Sequence, residues 1–386
     1  MKNLKLPTIL FLFSLLFIQN ARCYNLISSD STPYLKQRLE WFQDQKFGLL
    51  MALGLWSQWG IGGPWVISKA PGRIERSSFY DGLELTMPKG GDTTAGWDFN
   101  VYRNAYWNLI RTYYPYNFNE NEWAAIAENA GAKYMIFYTK HHDGFSLFDT
   151  KFSDFKVTSY YSPYSHHPNP DITQRLFEAF RKRGFGIGVY FSYSDWRSPY
   201  YWKPNVPISD NSSENRHFNY DINKEPQRWQ KFVDYYQGQI QELMTGYGEV
   251  DILWLDGGWD KKFMQVGKMV QMARSHQPEL IVVSRGGGEY EDYRTPENRV
   301  PDKPLGVPWE TVGFIRSGSP RAVVHYFVDI VCKGGNWLID MQNAALSDGR
   351  LDPAVVKILS EMGEWLKVNG EAIYGTRIFS MTQFRD

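Results

Sequence analysis

Asp256 closes the apolar run Asp251-Ile252-Leu253-Trp254-Leu255 and is followed by Gly257-Gly258. A carboxylate at the end of a buried strand, with two glycines behind it, has room for a ligand in front of it. Two roles suit that placement: a turn or helix-capping Asp that takes backbone N–H groups, or a carboxylate nucleophile. The nucleophile must stay ionised, and burial opposes this by raising its pKa unless donors or cations compensate. Arg285 and the pair His141-His142 are the candidates for that compensation. His141-His142-Asp143 also has the residue types of a metal site. Adjacent side chains on a strand or turn point apart, however, so one ion rarely takes both histidines; a structural role and hydrogen bonding to sugar hydroxyls are the other readings. Gly286-Gly287-Gly288 lacks the Lys-Ser/Thr of a phosphate loop and reads as a flexible loop. No serine nucleophile elbow is present.

Hydrolysis of a glycoside requires two carboxylates. With Asp256 as one, the second must come from a loop able to fold back over it, and residues 288–297 offer Glu289, Glu291 and Glu297. Residue chemistry alone does not choose among them, and an ordinary exposed charged loop would have the same composition.

The elements that must position these groups follow from the alternation of apolar runs with amphipathic stretches. Residues 46–54, 133–139, 185–192, 250–256, 280–284 and 337–341 read as buried strands. Helical periodicity covers 121–130, 171–183, 226–245, 262–276 and 353–368, with Asp171 at an N-cap position and Gly184 just past a C-terminus. Repeated strand–helix units imply a parallel sheet, and at this length they predict an α/β fold of the (β/α)8-like, TIM-type barrel class. Six strands are legible, two short of that barrel. The stretch 60–115 has no clear period and is expected to be an insertion near the barrel mouth. Thr139-Lys140-His141, Tyr190, Asp195-Trp196, Asp256 and Arg285 all fall at or near strand ends, which in a barrel open onto the face where active sites lie.

Composition narrows the ligand class. The 386 residues include 24 Phe, 25 Tyr and 15 Trp, which suggests surfaces that handle ring-shaped ligands. Lys plus Arg and Asp plus Glu are each 42, so there is no basic excess for nucleic-acid phosphates. Residues 1–23 begin with Lys2 and Lys5, continue in an apolar run from Ile9 to Ile18, and end in a short polar stretch, the pattern of a secretory signal peptide. That run is shorter than the roughly 20 residues a spanning helix needs; lipid attachment at Cys23 is the lesser alternative. Export with Cys332 as the sole remaining cysteine leaves stability to core packing rather than a disulfide. Asn211-Ser212-Ser213 is a glycosylation triplet of a kind that chance often supplies.

From about residue 41 to 376 the chain resembles the retaining α-L-fucosidases of glycoside hydrolase family 29. The motifs that carry this are Trp41-Phe42 with Lys46-Phe47-Gly48, Asn121-Glu122-Trp123-Ala124 with Ala130-Gly131-Ala132-Lys133-Tyr134, Lys140-His141-His142-Asp143-Gly144-Phe145, Gly188-Val189-Tyr190-Phe191-Ser192 with Asp195-Trp196, Leu253-Trp254-Leu255-Asp256, Thr295-Pro296-Glu297 followed by Pro308-Trp309-Glu310, and Val328-Asp329 with Lys333-Gly334-Gly335-Asn336. The resemblance implies a (β/α)8-like barrel that removes terminal α-L-fucose from a fucosylated oligosaccharide or glycoconjugate without a metal or organic cofactor. It implies Asp256 as nucleophile and Glu297 as general acid/base, with Glu289 and Glu291 as fallbacks because this loop varies in the family. It places His141, His142, Tyr190, Trp254 and Arg285 against the sugar.

Two departures bear on this. The family reads Phe-x-His-Trp-Gly after the first strand, and its sugar-binding histidine aligns with Ala52; Gln58-Trp59-Gly60 is a possible substitute donor, and Trp56, Trp59 and Trp65 a possible replacement wall. The family's C-terminal β-sandwich has no counterpart in the few residues after Thr376, so the expected organisation is a signal at 1–23, a catalytic domain at 24–375 and a remnant at 376–386. Besides α-L-fucoside hydrolysis, the same chemistry on α-L-galactose and a non-catalytic sugar-binding role remain as alternatives.

Overall fold

The computed structural model describes residues 33–68, 99–203, 216–258, 263–285, 290–315 and 319–378. The expected signal, the glycosylation triplet, the glycine run 286–288 and Glu289 lie outside the described residues.

Seven parallel strands form one sheet in the order β5-β4-β3-β2-β1-β7-β6. They are β1 (Phe47–Met51), β2 (Tyr134–Lys140), β3 (Gly186–Ser192), β4 (Ile252–Asp256), β5 (Ile281–Ser284), β6 (Glu310–Gly313) and β7 (Asn336–Asp340). Every residue of β1, β2 and β3 is buried, as expected for a parallel sheet covered by helices on its outer face. The six strands legible in sequence are all present. The seventh, β6, is only four residues long and follows the motif Pro308-Trp309, so it has no apolar run to announce it.

A regular eighth strand does not occur among the described residues. Its place between β5 and β6 is taken by the segment 292–298. Asp292 N–H donates to Val282 O at 3.0 Å, while Arg294 N–H reaches Pro308 O and Asn298 N–H reaches Val312 O. In return Glu310 N–H and Val312 N–H donate to Arg294 O and Pro296 O. Pro296 has no N–H to give and Asn298 is left-handed, with φ 55, so the ladder cannot run on as a strand. The α/β barrel expected from sequence is therefore a curled seven-stranded sheet whose edges are joined through an irregular segment, and that segment carries Glu297.

The helices include α1 (Pro33–Gln45), α2 (Phe99–Asn108), α3 (Glu120–Asn129), α4 (Ile172–Arg181), α5 (Pro226–Gly246), α6 (Val266–His276), α7 (Pro320–Cys332) and α8 (Pro353–Asn369). Asp171 caps α4 by accepting from Gln174 N–H at 2.9 Å, and Gly184 has φ 78. α1 packs under the sheet, with the Phe42 ring 4.3 Å from that of Tyr293 and 5.8 Å from that of Tyr134. Gly48 is required there, because a Cβ would come within 2.4 Å of the Tyr134 ring. Within the stretch 60–115, a 3-10 turn at Pro64–Ile67 and α2 are described. Trp65 packs on His142 and Tyr106 bonds to Asp143, so both pieces reach the residues that follow β2.

Candidate active site

β4 places Asp256 at its C-terminal end, paired with Ser192 at the end of β3, and Trp254 alongside Tyr190 two residues earlier. Tyr190 and Trp254 face the same side, since their rings stack at 5.3 Å with 21° between planes. The Tyr190 hydroxyl donates to Asp256 Oδ2 at 2.7 Å. Arg285, just beyond β5, lies over the Trp254 ring at 5.5 Å and sets its Nη1 3.6 Å from Asp256 Oδ1. Its Nη2 meets Glu297 Oε2, so one guanidinium stands between the two carboxylates. Exposure rises outward along this line, from 16% for the Asp256 side chain through 27% for Arg285 to 51% for Glu297.

Burial on its own pushes the Asp256 carboxyl up. Arg285, then His142, the Tyr190 hydroxyl and the Gly257 N–H outweigh it and hold Asp256 at about 2, fully ionised at neutral pH. The two histidines expected to help are not cations in that range. Burial brings His142 down to about 4 and His141 well below the usual imidazole range. At neutral pH the positive charge that holds Asp256 is that of Arg285.

Hydrogen bonds fix the tautomer of His142. His142 Nδ1 meets Ser192 Oγ, whose own proton goes to Ser194 O at 2.8 Å. Nδ1 is therefore the protonated nitrogen, and Nε2, 3.7 Å from Asp256 Oδ2, is the acceptor. His141 Nδ1 accepts from His142 N–H at 2.7 Å, and the Gln342 side-chain Nε2 stands 2.9 Å from its Nε2. Asp143 takes a third direction and accepts from Tyr106 OH at 2.6 Å and Phe145 N–H at 3.3 Å. The three side chains of this run thus serve three separate sets of partners. Gly257 lets the chain turn tightly behind Asp256: it has φ 70, and a Cβ would sit 3.1 Å from His142 Cε1.

The structure brings together Asp256, Glu297, His142, Tyr190, Trp254 and Arg285, with His141 beside His142, their ring centroids 4.4 Å apart. Of the two glutamates of residues 288–297 that are described, Glu297 meets the guanidinium beside Asp256, while Glu291 is half-buried six residues earlier. Gln58 does not replace the missing histidine: its amide donates to Leu109 O at 2.9 Å and accepts from Thr112 Oγ1 at 2.8 Å, away from the mouth. Of the three tryptophans expected as a wall, Trp56 packs edge-on to His141 at 5.4 Å and Trp65 to His142 at 5.2 Å, whereas Trp59 packs on Tyr106.

Sequence reasoning missed four groups. Glu310 lies inside the sheet and accepts from Trp254 Nε1 at 2.7 Å, Tyr134 OH at 2.8 Å and Tyr293 OH at 3.2 Å, which fixes the indole under Arg285. Tyr138 stacks on His141 with 11° between planes. Asp340 ends β7 and faces Tyr138, and Gln342, two residues further on, faces His141. A signal for Asp340 was present in Trp337-Leu338-Ile339-Asp340: a charged residue closing an apolar strand, the same pattern that singles out Asp256.

A family model described as alpha-L-fucosidase matches residues 20–371. The chain belongs to the α-L-fucosidase family. Among curated relatives, an alpha-L-fucosidase of Dictyostelium discoideum is 26% identical over 371 residues, covering 89% of this chain and 73% of that protein. The plasma alpha-L-fucosidase of Rattus norvegicus is 26% identical, with 97% and 79% covered. Among solved structures, the Thermotoga maritima α-fucosidase in complex with fucose superposes with a TM-score of 0.65 at 26% identity, covering 88% of this α-L-fucosidase family member and 76% of that chain.

Proposed function

We propose that the protein is a retaining exo-α-L-fucosidase in which Asp256 is the nucleophile and Glu297 the general acid/base. The observation that carries this is Arg285 standing between an ionised Asp256 and a more exposed Glu297 at the mouth of the sheet. Two carboxylates flanking one guanidinium suit the separation of about 5 Å that double displacement requires. Asp256 attacks the anomeric carbon while Glu297, turned from Arg285 to the leaving oxygen, protonates it; water then enters with Glu297 as base, and the sugar leaves with net retention. Tyr190, Trp254, His141, His142 and Arg285 surround the sugar. The neutral Nε2 of His142 is suited to accept from a hydroxyl, and the aromatic floor of Tyr190 and Trp254 to carry the apolar face of the ring.

The likeness to a fucosidase solved with fucose supports the same sugar here, and the substrate class we infer is a fucosylated glycan. We read residues 1–23 as an export signal and 24–375 as the catalytic domain, which agrees with a relative described as a plasma enzyme. Purified protein should release the aryl group from an aryl α-L-fucoside, and Asp256→Asn should lower the rate by several orders of magnitude. Absence of turnover on any aryl α-L-glycoside, or equal activity of Asp256→Asn and wild type, would sink the reading.

A further inference from the structure

The floor of the mouth runs from one carboxylate to another. Tyr190 donates to Asp256 at one rim. Its ring lies 4.0 Å from that of Tyr138, whose hydroxyl donates to Asp340 Oδ2 at 3.2 Å at the other rim. β4 and β7 are diametrically opposed: β3, β2 and β1 separate them on one side, and β5, the segment 292–298 and β6 on the other. Asp340 is in register with Leu50 of β1. Ala52, just past the end of β1, has only a methyl group as its side chain and is buried. Asp340 remains partly exposed, unlike the four buried residues of β7 before it.

Asp340 Oδ1 accepts from Gln342 N–H at 2.9 Å and Oδ2 from Tyr138 OH. An ionised carboxylate offers about four acceptor positions, so these two donors do not satisfy it. Burial pushes its carboxyl up to about 7 against the pull of those donors, as for a group short of partners, and both Glu297 and Arg285 act on it across the pocket. A pyranose with its anomeric carbon at Asp256 turns its C3–C4 edge to the opposite wall.

We propose that Asp340 is a substrate-binding residue that accepts a hydrogen bond from a hydroxyl on the C3–C4 edge of the sugar and so sets which sugars the site takes. The assignment rests on the reading of this mouth as a sugar site with Asp256 at the anomeric carbon. The contact joins a carboxylate to a neutral donor and is worth roughly 10- to 100-fold in affinity.

Calorimetric binding of L-fucose, 3-deoxy-L-fucose and 4-deoxy-L-fucose to wild type, Asp340→Ala and Asp340→Asn tests this, with turnover of an aryl α-L-fucoside measured in parallel. Asp340→Ala should weaken L-fucose binding by roughly 10- to 100-fold, and wild type and variant should bind alike the one deoxy sugar that lacks the partner hydroxyl. Asp340→Asn keeps a carbonyl oxygen and should lose less; it carries the same comparison if thermal melting shows Asp340→Ala to be unfolded. Equal losses on all three sugars, no loss on any, or no binding of L-fucose by wild type overturns the assignment. If the expected pattern appears but no fucoside is cleaved, Asp340 stands and the hydrolase reading falls. Normal cleavage without the pattern removes Asp340 from the sugar site and leaves the hydrolase standing.

Discussion

The Tyr190 hydroxyl donates to Asp256 Oδ2 at 2.7 Å across the β3–β4 pair. Strand register creates this contact, since Tyr190 pairs with Trp254 and its side chain reaches one step further along β4. The hydroxyl helps to hold Asp256 at about 2, after Arg285 and His142.

Removing that donor raises the Asp256 pKa. Tyr190→Phe should therefore move the acid limb of the kcat/KM profile to higher pH and lower the plateau by about 10-fold, the value of a hydrogen bond to a charged group. A pH series on an aryl α-L-fucoside reads both effects. An unshifted acid limb would show that Arg285 alone sets the ionisation.

Glu297 and Glu291 are separated by their behaviour with different leaving groups. With Glu297→Ala, a dinitrophenyl fucoside, which needs no protonation to depart, should retain far more activity than a poor leaving group. Added azide should restore turnover by replacing the base-assisted water, giving a fucosyl azide. Glu291→Ala should behave as wild type in both assays. The opposite pattern between the two variants would transfer the acid/base role to Glu291.

Ala52 is wholly buried, so the place of the family's histidine is filled. Ala52→His should cost about 1–3 kcal/mol through overpacking, seen as a lower melting temperature, and should not raise activity. A stable, more active variant would mean that the corner beside Trp56 is open to a histidine after all.

Stability should fall as the pH rises from about 5 to 7. Burial pushes Asp143 and Glu310 up to about 7, well above the roughly 4 of an unfolded carboxyl. The folded chain keeps protons that the unfolded chain releases between those values. The stability from these groups is therefore complete below about pH 4 and is lost as the pH rises through 7, by up to about 1.4 kcal/mol per pH unit for each group. His142, brought down to about 4, has the opposite sign: its contribution is present above about 6.5 and is lost as the pH falls through 4. The net loss should thus run from about pH 5 to 7 and level off above 7, read from melting temperatures between pH 5 and 8. Glu310→Gln should flatten it, and an unchanged slope in that variant would exclude Glu310 as a contributor.

Much of the fold was open to a local reading. Apolar runs such as those of β2 and β3 are buried on both faces and need no partner to be recognised. β6 and the segment 292–298 were not legible, because four residues after a Pro-Trp pair and a chain broken by Pro296 and left-handed Asn298 have no period.

For the site, the sequence by itself determined which residue types end the strands, and the motifs around His141-His142 and Leu253-Trp254-Leu255-Asp256 were enough to indicate the chemistry. Only the tertiary structure decided that the histidines are neutral, that Arg285 stands between Asp256 and Glu297, and that Asp340 faces Asp256 across an aromatic floor. The physical reason is that ionisation and pairing depend on neighbours brought in by strand register and sheet curvature. Tyr190 and Asp256 are 66 residues apart in the chain, and Tyr138 and Asp340 are 202 apart.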